Sequence, residues 1–331
     1  MSSRFSSGAV RRFIRLFAVL AACGLSPVVH ADGTWPSQPV RIIAPFAAGG
    51  SVDVVARILA QNLGALWNQG VVVDNRPGAG GMVGASVEAK SAADGYTLML
   101  ASGSMFTVNQ YIYKNLPYSN TDFSYITTVA SNPMVIAVAP MVSANNLKDL
   151  IALGKKPGTQ LNFGSAGIGS QVHMADAAFA DAAGIHMTHV PYKGEVLALN
   201  DLMAGRVQVV VSNIEAALPF VQSKTIKGLA VTGLHRSSAL PDVPTADEAG
   251  LQGFSTTGWF ALVAPAGTPQ AVIDKIQKDT LKVLADPTTQ KRFATLGIEP
   301  VGDSPQQLKN TIQTESARWK KVVSNLHLSA E

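Results

Sequence analysis

The sequence predicts an α/β fold made of two lobes, each with a β-sheet covered by helices. Short apolar runs alternate with segments whose apolar residues recur every three or four positions, which is the pattern of strands and helices in turn. This pattern occurs in both halves of the chain, and no low-complexity linker separates them, so we expect the lobes to exchange strands. The length of 331 residues also exceeds what one hydrophobic core usually fills.

The first element is a strand at Val40–Ala44, and the segment after it predicts a helix. Ser51 is the expected N-cap, and Asp53 lies in the first turn, where the helix dipole favours a carboxylate. The buried face of the helix is expected to carry apolar residues spaced three or four apart, namely Val52, Val55, Leu59, Leu63 and Leu66.

Two further strands complete a βαβαβ unit in the first half. Val71–Asp74 and Tyr96–Ala101 predict these strands, and a helix pattern between them runs to about Lys90. Because strands that alternate with helices run in the same direction, the unit predicts a parallel sheet.

The same alternation of strands and helices continues towards the C-terminus. Strands are expected at Met134–Ala139, Leu161–Gly164, His186–Val190, Val207–Val211, Ile226–Val231 and Gly258–Val263. Helices are expected at Leu147–Gly154, Ser170–Ala183, Val196–Met203, Glu215–Val221, Pro269–Ala285, Thr288–Leu296 and Pro305–Val323.

The first 31 residues have the pattern of a signal peptide. Four arginines and no acidic residue precede a short apolar run at Leu16–Leu25, and Val29-His30-Ala31 offers small residues at the positions that signal peptidase reads. The apolar run is shorter than the ~20 residues that span a bilayer. We therefore expect residues 1–31 to be removed and the protein to be exported.

Cys23 is the single cysteine of the chain, so no internal disulfide is expected. It ends the segment Leu20-Ala21-Ala22-Cys23, which resembles a bacterial lipobox. Lipidation of Cys23, which would anchor the protein to a membrane, is therefore the alternative to cleavage after Ala31.

The charge balance changes once residues 1–31, the leader, are set aside. The chain has 26 Lys and Arg against 22 Asp and Glu, but four of the arginines lie in the leader. The remaining chain is therefore neutral, which removes the main reason to expect a nucleic-acid partner.

Motifs of catalytic, metal and nucleotide sites are nearly absent. The sequence has no His-Glu-x-x-His, no cysteine pair, no Walker lysine motif and no Gly-x-Ser-x-Gly elbow, and its histidines are scattered. The glycines of residues 78–84 resemble a dinucleotide loop, but Asn75-Arg76-Pro77 separates them from the strand, and no acidic residue ends the next strand to hold a ribose. We expect no metal, no cofactor and no catalytic residue.

Two glycine-rich loops between a strand and a helix are better suited to holding a small anion. They are Phe46–Ser51 and Gly164–Ser170. Each would place unpaired backbone N–H groups at a helix N-terminus, where the dipole attracts a carboxylate or a phosphate. The alternative is that each loop is only a tight turn with a serine cap.

An ordered set of motifs runs from residue 35 to about residue 300. These motifs are Trp35-Pro36-x-x-Pro39-Val40-Arg41, Pro45-Phe46-x-x-Gly49-Gly50-x-x-Asp53-x-x-Ala56-Arg57, Asn75-Arg76-Pro77-Gly78-Ala79-Gly80-Gly81, Asp94-Gly95-Tyr96-Thr97-Leu98, Gly164-Ser165-x-Gly167-x-Gly169-Ser170-x-x-His173, Val190-Pro191-Tyr192-Lys193-Gly194, Leu240-Pro241-Asp242-Val243-Pro244-Thr245 and Ala264-Pro265-Ala266-Gly267-Thr268-Pro269. Together they resemble the Bug-type (TctC-like) extracytoplasmic solute receptors, the periplasmic substrate-binding proteins of tripartite tricarboxylate transporters.

The resemblance implies a type II periplasmic-binding-protein fold, in which two lobes with mixed sheets close on a ligand about crossing strands. Residues 35–131 and 231–331 would form lobe 1, residues 132–230 lobe 2, and the hinge strands would lie near Asn132–Val135 and Leu229–Val231. It also implies a small mono- or dicarboxylate as ligand, held largely by backbone amides and ordered water, and the membrane components of the transporter as partners.

Ligand contacts are expected where strands end at the cleft, as in other open α/β sheets. The expected ligand-binding residues are Phe46, Ala48, Gly49, Gly50, Ser51, Asp53, Ser102, Ser165, Ala166, Gly167, Gly169, Ser170, His173 and Asn213. For Asp53 a helix cap, and for Ser102 a turn cap, are the alternatives to a ligand contact.

The sequence therefore predicts a monomeric periplasmic receptor that binds a small organic acid and delivers it to a tripartite tricarboxylate transporter. Two alternatives stay open. One is an exported α/β enzyme of hydrolase type, with His173 as the basic residue near Ser170. The other is a sensory binding protein that acts on a signalling partner.

Overall fold

A ten-stranded mixed sheet carries the fold of residues 35–330. A computed structural model describes residues 35–330, which from Gln38 onward belong to one unit; the leader and Cys23, with the predictions made for them, lie outside the described residues. The strands are β1 (Val40–Ala44), β2 (Val71–Asn75), β3 (Thr97–Ser102), β4 (Phe123–Val138), β5 (Asn162–Ser165), β6 (Thr188–Pro191), β7 (Val209–Asn213), β8 (Lys227–Val231), β9 (Thr257–Pro265) and β10 (Glu299–Pro300).

Helices connect these strands and cover the sheet. They are α1 (Ser51–Trp67), α2 (Met82–Ala89), α3 (Ser104–Thr107), α4 (Asn109–Ile112), α5 (Leu147–Gly154), α6 (Gln171–Ala183), α7 (Glu195–Met203), α8 (Ile214–Gln222), α9 (Gln270–Ala285), α10 (Pro287–Leu296) and α11 (Pro305–Asn325). Most bounds lie within two residues of the predicted ones, although the short helices α3 and α4 have no counterpart in the prediction. Between residues 35 and 330, no helix has the length and apolar character needed to cross a membrane.

The predicted parallel unit is built around β1. This strand pairs in parallel with β2 and β3, so that Ile42 lies level with Val73 on one side and Leu98 on the other. Ile42 and Leu98 are fully buried, as expected for parallel strands covered on both faces by helices. The prediction of a βαβαβ unit is confirmed.

Antiparallel strands make the sheet mixed. β9 runs antiparallel to both β3 and β4. β4 is 16 residues long: as far as Pro133 it pairs with β9, and from Met134 it pairs with β7 and β8. β7 lies parallel to β5, and β5 parallel to β6. The order across the sheet is therefore β2-β1-β3-β9-β4-β7-β5-β6, with β8 and β10 also paired to β4.

The strand predicted at Met134–Ala139 is only the end of β4. The apolar pattern does not predict residues 123–133, because serine and threonine side chains and a proline interrupt it. The structure gives these buried polar groups partners. The backbone N–H and the hydroxyl of Thr128 donate to the Asp303 carboxylate at 2.6 and 2.8 Å, and the Asn132 amide donates to Glu215. Such partners allow polar residues in a central strand.

The start and the buried face of α1 differ slightly from the prediction. Ser51 is the first helical residue and not the cap, because Gly50 occupies the N-cap position and makes no side-chain cap bond. Leu66, which was predicted to be buried, is 45% exposed, since the last buried position of the helix is taken by Trp67.

Helix α2 buries a carboxyl group that has no hydrogen-bond partner among the described residues. Glu88 has no exposed surface, and both its carboxyl oxygens lack a partner. Burial raises the pKa of Glu88 to about 8, although the charge of Arg41 opposes the shift. The group is therefore protonated at neutral pH, as expected for a carboxyl in an apolar environment.

Glu88 should make the protein less stable as pH rises. Its pKa is raised in the folded state, so the folded chain binds the proton more tightly than the unfolded chain, and stability is lost between about pH 4.5 and pH 8. In Glu88→Gln the loss of unfolding free energy between pH 6 and pH 9 should be smaller, as measured by urea denaturation. The exposed control Asp242→Asn should follow the wild type. An unchanged pH dependence in Glu88→Gln would contradict the assignment.

Candidate functional site

A cavity lies at the carboxyl ends of β1, β3, β5 and β7, where each strand passes into a helix. The empty space in it, part of which is open to solvent, is about 320 Å³. The lining residues are Phe46, Gly50, Val52, Ser102, Ala166, Ser170, Gln171, Val172, Glu195, Asn213 and Phe260. This is the edge at which open α/β sheets bind ligands.

The last three backbone N–H groups of the first glycine-rich loop already have acceptors. The Gly49 N–H donates to the Asp53 carboxylate at 2.9 Å, and the Ser51 N–H donates to the Glu195 carboxylate at 2.8 Å. Ala48 and Gly49 are exposed and do not line the cavity. The donors that remain at this end are those of the first turn of α1, including Val52, because first-turn N–H groups have no intrahelical acceptor.

Asp53 holds this loop to the neighbouring strand. Its carboxylate also accepts from Arg57 Nε at 2.9 Å and from Asn75 Nδ2 at 3.0 Å. Burial acts to raise the pKa of Asp53, but these bonds and the Arg57 charge outweigh it, so the pKa lies below its ordinary value. Asp53 therefore fixes the loop from behind and does not line the cavity.

Three N–H groups of the second glycine-rich loop, those of Gly167, Gly169 and Ser170, also have acceptors already. The Gly167 N–H donates to the Ser165 hydroxyl at 3.1 Å, and the Gly169 N–H donates to His173 Nδ1 at 3.2 Å. Ser170 caps α6 by accepting from the His173 N–H at 3.2 Å, which leaves its hydroxyl hydrogen available to a ligand. As in the first loop, donors are available in the first turn of the helix, where Gln171 and Val172 line the cavity.

The side chain of Gln171 links the start of α6 to the first half of the sheet by hydrogen bonds. Its Oε1 accepts from the Ser102 hydroxyl and the Gly103 N–H, both at 2.9 Å, and from the Trp259 N–H at 3.2 Å. These three donors fix the orientation of the amide. Its Nε2 lies against the backbone of Gly258, where any side chain larger than hydrogen would overlap it.

Glu195, the first residue of α7, is the charged side chain of the cavity wall. It is 5% exposed, and its carboxylate accepts from the Ser51 N–H, the Ser212 hydroxyl, and both the N–H and the side-chain amide of Asn213. Burial, and next the charge of Glu195, raises the pKa of the adjacent Glu215 to about 8. Within residues 35–330, no group of three or more His, Cys, Asp or Glu side chains is arranged to hold a metal ion.

The structure thus separates the expected site residues into two groups. Those that line the cavity are Phe46, Gly50, Ser102, Ala166, Ser170 and Asn213. Those that do not line it are Ala48, Gly49, Ser51, Asp53, Ser165, Gly167, Gly169 and His173.

Sequence reasoning missed five of the lining residues, which are Val52, Gln171, Val172, Glu195 and Phe260. A signal existed for the first three, because free N–H groups belong to the first turn of a helix and not to the glycines before it. Glu195 follows the motif at 190–194, but an acidic residue at a helix start is usually explained by the helix dipole alone.

The chain matches the family model described as "Tripartite tricarboxylate transporter family receptor" (TctC) over residues 55–328. It belongs to this receptor family. The protein BugT of Bordetella pertussis is 36% identical, over 93% of this chain and 96% of its own length.

Two solved structures show the same fold. R. palustris Rpa4515 with adipate is 33% identical, with a TM-score of 0.86 over 89% of this chain and 99% of that one. The periplasmic binding protein BugD is 34% identical, with a TM-score of 0.85 over the same shares of the two chains. The predicted family and the predicted periplasmic-binding-protein fold are confirmed.

A serine and a histidine lie close together in this TctC-family receptor. The Ser165 hydroxyl and His189 Nε2 share a hydrogen bond of 2.6 Å, a contact that sequence reasoning did not anticipate. The His189 ring stacks on His173 and Phe163, with ring centroids 4.1 and 4.7 Å apart. Burial lowers the pKa of His189 to about 4 and that of His173, with the help of His189, to about 3. Both rings are therefore neutral at physiological pH.

This Ser165–His189 pair supports the loop and does not face the cavity. Ser165 has no exposed surface and does not line the cavity, and its hydroxyl is already bonded to the Gly167 N–H. A nucleophile needs access to its substrate, and this hydroxyl has none. The pair instead joins β5, β6 and the second loop into one hydrogen-bonded unit.

Removing the Ser165 hydroxyl should therefore reduce stability. Ser165→Ala leaves both His189 Nε2 and the Gly167 N–H without a buried partner, and we expect a loss of about 1–3 kcal/mol of unfolding free energy in urea denaturation. Ser238→Ala, whose hydroxyl makes one exposed bond, is the control and should change stability by less than about 0.5 kcal/mol. An unaffected Ser165→Ala would contradict the structural role.

Proposed function

We propose that this chain is a periplasmic receptor that binds a small organic carboxylate, leaves it chemically unchanged and delivers it to the membrane components of a tripartite tricarboxylate transporter. One observation carries the proposal. The first turns of two helices, α1 and α6, line the same cavity, through Val52 on one and through Gln171 and Val172 on the other. Two dipole ends and their unpaired N–H groups at one place favour an anion.

The rest of the cavity suits a small organic acid. Phe46 and Phe260 supply apolar surface, while the hydroxyl of Ser170 supplies a further donor. Adipate, the molecule in the R. palustris Rpa4515 structure, is a small carboxylate, which supports this ligand class for the present chain.

Delivery requires opening and closing, and we place this motion between the two predicted lobes. Lobe 1 comprises residues 35–131 and 231–331, and lobe 2 comprises residues 132–230. The change of pairing partner in β4 at Pro133 and Met134 supports a hinge there. Contacts across the proposed cleft support a closed form, among them the 2.8 Å bond from the Tyr113 hydroxyl to the Ile168 carbonyl oxygen.

A carboxylate placed in the cavity wall should displace the ligand. Ala166 lines the cavity and has no polar side chain of its own, so Ala166→Asp and Ala166→Asn differ in charge at nearly constant shape. Two like charges about 4 Å apart at an effective dielectric near 20 repel by about 4 kcal/mol. We expect Ala166→Asp to bind at least about tenfold more weakly than Ala166→Asn at pH 8.

The measurement is isothermal titration calorimetry with adipate, succinate, citrate, malate, aspartate and glutamate, after circular dichroism has shown that both variants fold. The strongest binder to the wild type is then compared between the two variants. Equal affinities for Ala166→Asp and Ala166→Asn would exclude this cavity as the carboxylate site. A wild type that binds none of the six acids would contradict the proposed function.

Closure should depend on Gly80. Its φ is +57°, and a Cβ there would overlap the carbonyl oxygen of Ile168 across the proposed cleft. Gly80→Ala should therefore hold the cleft open, raise the dissociation constant of the strongest binder at least about tenfold, and increase the radius of gyration in X-ray scattering with ligand present.

Gly253→Ala is the matched control for this substitution. Gly253 also has a positive φ, of +72°, but no atom lies within 4 Å of an added Cβ. This variant carries the backbone strain without the clash and should bind as the wild type does. Equal affinities for Gly80→Ala and Gly253→Ala would show that the contact with Ile168 plays no part in closure.

A further inference from the structure

Glu195 presents a buried charge that the described part of the protein does not neutralise. Its carboxylate accepts four hydrogen bonds, at 2.8 Å from the Ser51 N–H, at 2.9 and 3.3 Å from the amide and N–H of Asn213, and at 3.2 Å from the Ser212 hydroxyl. Every one of these donors is neutral. Of the described residues that line the cavity, none is basic.

A buried carboxylate is normally paired with a cation. Here the wall of a ligand cavity carries the carboxylate, so the ligand itself is the natural source of the cation. The neighbouring Glu215 does not add a second charge at neutral pH, because burial and the charge of Glu195 raise its pKa to about 8. The site therefore presents one negative charge, which matches one positive group on a ligand.

Asn213 provides independent evidence at the same place. A carboxylate can only accept, so Asn213 must turn its Nδ2 towards Glu195, and the 2.9 Å bond between them has this direction. The Oδ1 of Asn213 is then left without a partner among residues 35–330, although the side chain is only 3% exposed and lines the cavity. A buried acceptor without a donor is costly, and a ligand N–H would satisfy it.

We infer that Glu195 and Asn213 bind an ammonium group of the ligand, so that the acid recognised by this receptor is an ammonium-bearing carboxylate of the amino-acid type. The inference rests on the proposed function, which supplies the carboxylate end of the ligand at the first turn of α6. An ammonium group has three N–H donors, enough for the Glu195 carboxylate and the Asn213 Oδ1 together. A plain dicarboxylate would instead bring a second negative charge towards Glu195.

The test compares acids that share a carbon skeleton and differ in one substituent. The probes are L-aspartate, L-malate and succinate, then L-glutamate, L-2-hydroxyglutarate and glutarate, then L-alanine, L-lactate and propionate. Isothermal titration calorimetry at pH 7 measures the affinity of the wild type and of Glu195→Gln for each acid. The glutamine variant keeps an oxygen for the Ser51 N–H and removes the charge. Glu299→Gln, at an exposed position, is the control.

We expect the wild type to bind the ammonium-bearing acid of at least one set about tenfold or more tightly than both its hydroxy and its unsubstituted analogues. Glu195→Gln should remove this preference, because it should bind the ammonium-bearing acid more weakly and the plain diacid equally or more tightly. Glu299→Gln should keep the preference. The comparison on the wild type alone remains decisive if Glu195→Gln does not fold.

The possible failures are distinct. If plain or hydroxy acids bind as tightly as their ammonium-bearing analogues, the ammonium subsite is wrong while the carboxylate receptor stands. If the preference exists but survives in a folded Glu195→Gln, the assignment to Glu195 is wrong. If the wild type binds no acid in any set, both this inference and the proposed function fail.

Discussion

The pairing of one long strand determines how the rest of the molecule is arranged. β4 forms an antiparallel ladder with β9 as far as Pro133 and with β7 and β8 from Met134 onward. Each half of the sheet is therefore aligned by the same backbone, and the carboxyl ends of β1 and β3 come to lie opposite those of β5 and β7. The cavity exists because of this alignment. Thr232 secures the change of partner, since its hydroxyl accepts from the Met134 N–H at 3.0 Å.

The protein treats its buried carboxyl groups in three different ways. Asp53 is paired with Arg57 and holds a loop in place. Glu88 and Glu215 have raised pKa values and are neutral at pH 7, so that they cost less when kept away from water. Glu195 accepts four neutral donors and faces the cavity. In a chain with only 15% charged residues, such a group stands out as a feature of the site.

Much of the fold follows from local pattern, and the site follows only in part. Apolar periodicity places α5 at Leu147–Gly154 without error, because its buried face and its Asn146 cap are both local signals. The first part of β4 cannot be predicted from local pattern. Thr128 can be buried there because Asp303, far along the chain, accepts its hydrogen bonds. The loops of the site are equally recognisable. Which N–H groups remain available depends on distant partners such as Glu195, and no local pattern reveals these.

The walls of the cavity differ in chemistry, and this has a geometric consequence. Glu195 and Asn213 supply acceptors, the first turn of α6 supplies donors, and the rings of Phe46 and Phe260 supply apolar surface. A tetrahedral carbon that places one substituent on each of three unlike walls cannot be replaced by its mirror image, because exchanging two substituents puts at least one against the wrong wall. A ligand bound in the proposed way would therefore be distinguished from its mirror image as well as from acids of different charge.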